Sequence, residues 1–135
     1  MSQEHVELVR SAYEAYNRRD VEAVMGCFDP EIDWHVPDSL PWGDHVRGLE
    51  AMGRFFEGLR PHLGDDHQVA VDELIDAGDR VVALVHHRGT APGGARYDVP
   101  AIMLWTVAGG QLSALYEQLD TLSMARATET APSAA

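Results

Sequence analysis

The chain has 135 residues and a mass of 14.8 kDa, the length of one domain, with 45% hydrophobic and 24% charged residues. Ten Lys+Arg stand against 22 Asp+Glu, a formal charge of −12, and all ten cations are arginines scattered along the chain. Nucleic-acid and anionic-membrane partners need clustered cations, so both are excluded as expectations. The single cysteine, Cys27, rules out an internal disulfide. The charged start MSQEHVELVR is unlike a signal peptide, and no apolar run reaches the length of a spanning helix, so the expected setting is cytoplasmic.

In chain order, Ser2 and Glu4 suit a helix start, and Val6, Val9, Tyr13 and Tyr16 form one apolar stripe at spacings of three and four. Asp20 is placed to cap a second helix with Val21, Val24, Met25 and Phe28 on its buried side, ended by Asp29-Pro30. Glu31 to Val36 alternates as a strand, and Pro37 to Gly48 reads as a loop. A third helix carries Leu49, Met52, Phe55, Phe56 and Leu59, with Pro61 as its stop. From His67 the period becomes two. Strands are expected at Gln68–Ile75, Arg80–Thr90, Tyr97–Val107 and Gln111–Leu119, joined by glycine-bearing turns. A short helix, Thr121–Arg126, closes a single domain over 1–126, and 127–135 reads as a disordered tail.

Helices first and hairpin-linked strands last predict an α+β fold, a cone-shaped antiparallel sheet against three N-terminal helices that encloses one pocket. Trp34, Trp42, Phe56, Tyr97 and Tyr116, with Trp105, would make that pocket aromatic where they point inward, and Tyr16 ends the helical stripe. His86 and His87 occupy adjacent strand positions, so only one can enter the cavity; His87 is the candidate, as proton shuttle or donor to a substrate oxygen. Asp38 could reach the cavity mouth or simply form a turn. Asp120 ends an apolar strand, where a carboxylate in a pocket would have its pKa raised towards a useful base; it also suits an N-cap. No His-x-His, His-Glu-x-x-His or Cys-x-x-Cys spacing occurs, so no metal and no cofactor are expected.

The segments Tyr13-Glu14-Ala15-Tyr16-Asn17-Arg18-Arg19-Asp20, Trp34-His35-Val36-Pro37, Gly78-Asp79-Arg80-Val81-Val82 and Tyr116-Glu117-Gln118-Leu119-Asp120, with Gly48 before a helix, carry a resemblance. Over residues 4 to 124 the chain resembles the SnoaL-like polyketide cyclases and their relatives, the ketosteroid isomerases and limonene epoxide hydrolases. The resemblance implies the nuclear-transport-factor-like cone and a hydrophobic small-molecule substrate. The isomerase tyrosine, base and oxyanion acid would fall at Ala12, Val36 and Ile102, so that apparatus is missing. The cyclase pattern of an aromatic four residues before a catalytic aspartate matches Tyr116 and Asp120, although Leu115 replaces the cyclase histidine. The epoxide-hydrolase base also matches Asp120, without its Arg-x-Asp pair around Val85, His86 and His87.

These readings give a cofactor-independent acid–base cyclase or isomerase, with Asp120, His87 and Asp38 as catalytic candidates. Tyr16, Trp34, Trp42, Phe56, Tyr97, Ile102, Tyr116 and Gln118 are the substrate-binding candidates. Epoxide opening and non-catalytic binding are the alternatives. A homodimer is expected through the outer sheet face, with Met103 and Trp105 at the interface.

Overall fold

The first helix, α1 (Ser2–Asn17), buries Val6, Val9, Ala12 and Tyr13 along one stripe. It ends where Arg19 takes a left-handed conformation (φ 65°). The Arg19 amide bonds the Tyr16 carbonyl and the Asp20 amide the Ala15 carbonyl, both at 2.9 Å, so the last turn closes as a glycine would usually close it. The strain of arginine there is offset because its guanidinium bonds the Asp65 carbonyl at 2.8 Å and lies 5.7 Å from the centre of the Tyr16 ring. Asp20 then caps α2 (Val21–Gly26) by accepting from the Ala23 amide at 3.1 Å. These details come from a computed structural model that describes residues 2–128.

The strand β1 (Phe28–Val36) starts earlier than the alternation predicts and takes in Pro30. Its register against the neighbouring strand is broken between Phe28 and Asp33, which frees proline from the ladder. Phe28, expected on the second helix, is instead a fully buried strand residue. A further strand, β2 (Asp44–Arg47), lies in the segment read as loop. Only Val46 of its four residues is buried, too little for a pattern to show. Between these strands the chain turns so tightly that a Cβ on Gly43 would sit 1.9 Å from the Pro37 carbonyl oxygen. The third helix, α3 (Leu49–Leu63), runs two residues past its expected stop, with Pro61 in its final turns and Leu63 buried.

The remaining strands are β3 (Gln68–Asp76), β4 (Arg80–Thr90), β5 (Arg96–Ala108) and β6 (Gln111–Leu119). The helix α4 (Thr121–Thr128) follows, so Ala127 and Thr128, expected in the tail, are helical; the rest of that tail lies outside the described residues. One curved sheet of six strands runs β2-β1-β6-β5-β4-β3, with the helices filling its concave side. The architecture is the expected α+β cone, with one difference in the sheet. β1 and β6 pair parallel, because they are distant in sequence and no hairpin links them.

Asn17 locks the helical layer to the sheet. Its amide nitrogen donates to the Val69 carbonyl at 2.9 Å and its side-chain oxygen accepts from the Val69 amide at 2.8 Å. Asn17→Ala leaves both backbone groups without a partner and is expected to cost about 2–3 kcal/mol. A urea titration should show a lower midpoint with an unchanged slope.

Candidate functional site

Strand alternation decides what enters the cone. On β5 the buried residues are Tyr97, Val99, Ala101, Met103, Trp105 and Val107. Residues paired directly across a ladder share a face, and Met103 pairs with Glu117, while Ile102 pairs with Gln118 and Leu104 with Tyr116. Glu117 therefore faces inward and is buried at 6% exposure. Ile102 and Tyr116 face outward, 52% and 51% exposed, and Gln118 is exposed beside them. These three substrate-binding candidates lie outside the cavity. Met103 and Trp105, expected at a subunit interface, are buried inside it.

Asp120 also points away. It is exposed and caps α4, accepting from the Ser123 amide at 3.0 Å and from the Ser123 hydroxyl at 2.7 Å. Those two bonds hold its carboxyl below the usual aspartate range, the reverse of the raised value that a pocket would give. Asp38 is exposed in the turn after Pro37 and does not line the cavity. Tyr97 is buried, but its hydroxyl donates to the Leu63 carbonyl at 2.6 Å, and Gly89 opposite leaves room for that oxygen. Tyr97 thus fastens α3 to the sheet rather than lining the cavity.

The candidates that do converge are Tyr16, Trp34, Trp42, Phe56 and His87. They enclose a cavity of about 70 Å³ together with Phe28, Phe55, Met103, Trp105 and other apolar side chains. Trp34 sits between Phe56 and Trp105, with ring centres 5.9 and 5.6 Å away in edge-to-face contact. Its indole Nε1 is buried with no hydrogen-bond partner among the described residues. Tyr13 accepts from the Trp105 indole at 2.9 Å and donates to the Met103 sulfur. Burial pushes the Tyr13 hydroxyl far above its ordinary pKa, so it stays protonated.

One wall of this cavity is polar. His87 Nε2 lies 2.6 Å from Glu117 Oε2, and His87 Nδ1 lies 2.9 Å from Nε2 of His67. His67 Nδ1 in turn lies 2.7 Å from the Tyr16 hydroxyl. His67 is 4% exposed and His87 7%, and their ring planes are only 12° apart, which suits an N–H···N bond lying near both planes. Burial, the neighbouring His87 and Arg19 together hold His67 well below the ordinary histidine pKa, against the pull of Asp66. Burial likewise pushes the Tyr16 hydroxyl up to about 12. The adjacent His86 faces outward, against Asp98 and Asp72 at 2.6 and 3.0 Å.

Glu117 and His67 were not among the sequence candidates. For Glu117 a signal existed: Leu115, Glu117 and Leu119 share one alternation, and the leucines mark it as the buried one. His67 stands in the turn just before β3, one residue ahead of the strand whose alternation could assign it a face. Among the described residues no group of three or more His, Cys, Asp or Glu side chains is arranged to hold a metal ion.

An unfolded His67 takes up a proton near pH 6.5, whereas the folded one resists it. Stability from this group is therefore complete above pH 6.5 and falls as the pH drops below it, by up to about 1.4 kcal/mol per unit. Urea unfolding at pH 7.5, 6 and 5 should show a steeper loss in the wild type than in His67→Gln, which lacks the titrating ring.

Comparison with known proteins agrees with this architecture. A model of the SnoaL-like domain matches residues 9–115. An uncharacterised protein of Mycobacterium tuberculosis is 24% identical over 112 residues, covering 83% of this chain and 86% of that one. The crystal structure of an NTF2-like protein of unknown function from Burkholderia pseudomallei superposes with a TM-score of 0.89 at 27% identity, covering 94% of this chain and 98% of that one. A protein from a Jannaschia species, assigned as a SnoaL-like polyketide cyclase, superposes with a TM-score of 0.83 at 21% identity, covering 97% and 95%. The chain belongs to the SnoaL-like domain family.

Proposed function

We propose that this chain is an acid–base enzyme, working without a cofactor on a hydrophobic, oxygenated small molecule, with isomerisation or ring closure as its outcome. The observation that carries the reading is the Glu117–His87 pair, bonded at 2.6 Å and buried in the wall of an aromatic cavity. Taking a carboxylate out of water costs several kcal/mol, and a fold has little reason to bear that cost in an otherwise apolar chamber unless the group works there. Binding without chemistry would need no pocket carboxylate, so Glu117 weighs against that alternative. Family membership and the likeness to a protein assigned as a polyketide cyclase support the same direction.

The base moves from Asp120 to Glu117. Its Oε2 is engaged by His87, which fixes the carboxylate, while Oε1 makes no hydrogen bond among the described residues and can accept a proton from a ligand carbon. In that step a C–H bond next to a carbonyl breaks, the proton bonds to Oε1, and the electron pair moves onto the carbonyl oxygen. The charge growing on that oxygen needs a donor, and the Trp34 indole N–H is one that the fold leaves unused. Trp42, Phe55 and Phe56 would hold an apolar ring system by packing alone. The homodimer through the outer sheet face belongs to this reading too. It would be built from the outward-facing Ile102, Leu104 and Tyr116, and a clean monomer in sedimentation at micromolar concentration would reject it.

Hydrogen–deuterium exchange at the α-carbon of 2-tetralone in D2O, followed by proton NMR, tests the chemistry directly. The wild type should accelerate exchange, and Glu117→Gln should lose 100-fold or more of that acceleration. Asp120→Asn should leave it unchanged, because asparagine caps α4 equally well. Binding of the ketone without any acceleration would reduce the protein to a carrier.

A further inference from the structure

The polar wall is a single unbranched chain: Tyr16 hydroxyl, His67, His87, Glu117. Its three bonds cannot be oriented independently. Each bond needs one hydrogen, each neutral imidazole supplies one, and the third must come from one end of the chain. When Glu117 is ionised it can only accept, so His87 carries its proton on Nε2 and accepts at Nδ1. His67 then donates from Nε2 and accepts at Nδ1, and the Tyr16 hydroxyl donates to His67. All three bonds point towards Glu117.

With neutral rings only one other arrangement satisfies every bond. A proton on Glu117 Oε2 reverses all three: Glu117 donates to His87, His87 to His67, and His67 Nδ1 to the Tyr16 oxygen. The hydroxyl hydrogen of Tyr16 is then free to turn into the cavity that its ring lines. The ion-pair form, with imidazolium His87 on ionised Glu117, has the same polarity from His87 outward. The burial that keeps His67 neutral favours these two arrangements over any with charge on His67.

We propose that the two histidines are a proton conduit joining Tyr16 to Glu117, so that the Tyr16 hydroxyl is a second acid–base contact with the ligand. The proposal rests on the acid–base reading above and adds to it a ligand class, a small apolar enol or phenol. In the forward step the ligand O–H bond breaks and its proton bonds to the Tyr16 oxygen. The proton of Tyr16 moves to His67 Nδ1, that of His67 Nε2 to His87 Nδ1, and that of His87 Nε2 to Glu117 Oε2. The ligand is left as an oxyanion and Glu117 as a neutral acid. One proton has moved in net terms, neither ring is left charged, and the reverse step returns the proton to the ligand oxygen. Tyr16 is the contact; His67 acts only through its neighbours.

The charged and titratable groups around His67 are Arg19 and Tyr16 from the first helical layer, Asp66 in the turn before it, His87 on β4 and Tyr97 on β5. Tyr13 faces Glu117 from α1. Tyr13 and Tyr97 both have their hydroxyls pushed up by burial and stay protonated through a neutral-to-acid titration.

Nitrogen NMR of the full chain labelled with ¹⁵N-histidine reads the tautomers. At neutral pH His67 and His87 should both carry hydrogen on Nε2. As the Glu117–His87 pair takes up a proton, His67 should change from Nε2–H to Nδ1–H while remaining neutral. In Glu117→Gln, whose amide donates to His87 Nε2, the same inversion should occur at neutral pH, although residue 117 bonds His87 and not His67. A His67 ring that keeps its Nε2 proton in both experiments overturns the conduit. If ketone exchange persists while His67 stays fixed, the acid–base reading survives and the conduit fails. If His67 inverts but no exchange occurs, the conduit stands and the enzymatic reading fails.

Discussion

The bond between His87 and Glu117 is the constraint that organises the interior. A carboxylate with 6% exposure among aromatic rings is tolerable only with a hydrogen-bond donor in place, and a ring donating from one nitrogen needs a partner for the other. That requirement passes along the wall: His87 needs His67, and His67 needs Tyr16. The position of each of these groups is therefore set by the one before it. Three separate elements and a turn must deliver them, with β6 supplying Glu117, β4 supplying His87, the turn before β3 supplying His67, and α1 supplying Tyr16.

The secondary contacts of the fold fall where this delivery needs them. Asn17, next to Tyr16, bonds both backbone groups of Val69, two residues after His67, so the helix that carries Tyr16 and the strand that follows His67 cannot slide apart. Arg19 spans the same seam, from the Tyr16 ring to the Asp65 carbonyl. Tyr97 pins the end of α3 through Leu63, just before the turn that holds His67. Asn17, Arg19 and Tyr97 do not line the cavity, yet they fix the spacing of the residues that do.

Much of this was legible from the sequence, and the limits have physical causes. The stripe from Val6 to Tyr16, the helix around Met52 and the long strands from Gln68 onward announce themselves because each buries one face along many residues. The short β2 buries one residue and gave no pattern. On β6 the fold-family likeness placed Tyr116 and Asp120 inside, whereas Leu115 and Leu119 have the stronger claim to the buried face. A register break in the β5–β6 pairing beyond Thr106 adds to the difficulty, since one extra residue exchanges inside for outside. His87 could be singled out because two adjacent histidines on a strand must part company. Glu117 was passed over because a glutamate flanked by tyrosine and glutamine looks like surface, although it shares the alternation of Leu115 and Leu119.

The acidity of the chain separates along the same line. The net charge of −12 resides on exposed helix faces, turns and outward-facing strand positions, where carboxylates such as Asp98 and Asp120 are held ionised by neighbouring donors. Among the described residues, the buried charged or polar side chains are His67, His87, Glu117 and Thr128. Three of those four form the polar wall. An acidic surface repels polyanions and keeps the protein dispersed, but it cannot reach a ligand inside the cone. A ligand held as proposed would meet one carboxylate and the two histidines bonded in line with it. In the proposed reaction the protonation of that wall would govern the chemistry, and the charge that dominates the composition would hardly enter.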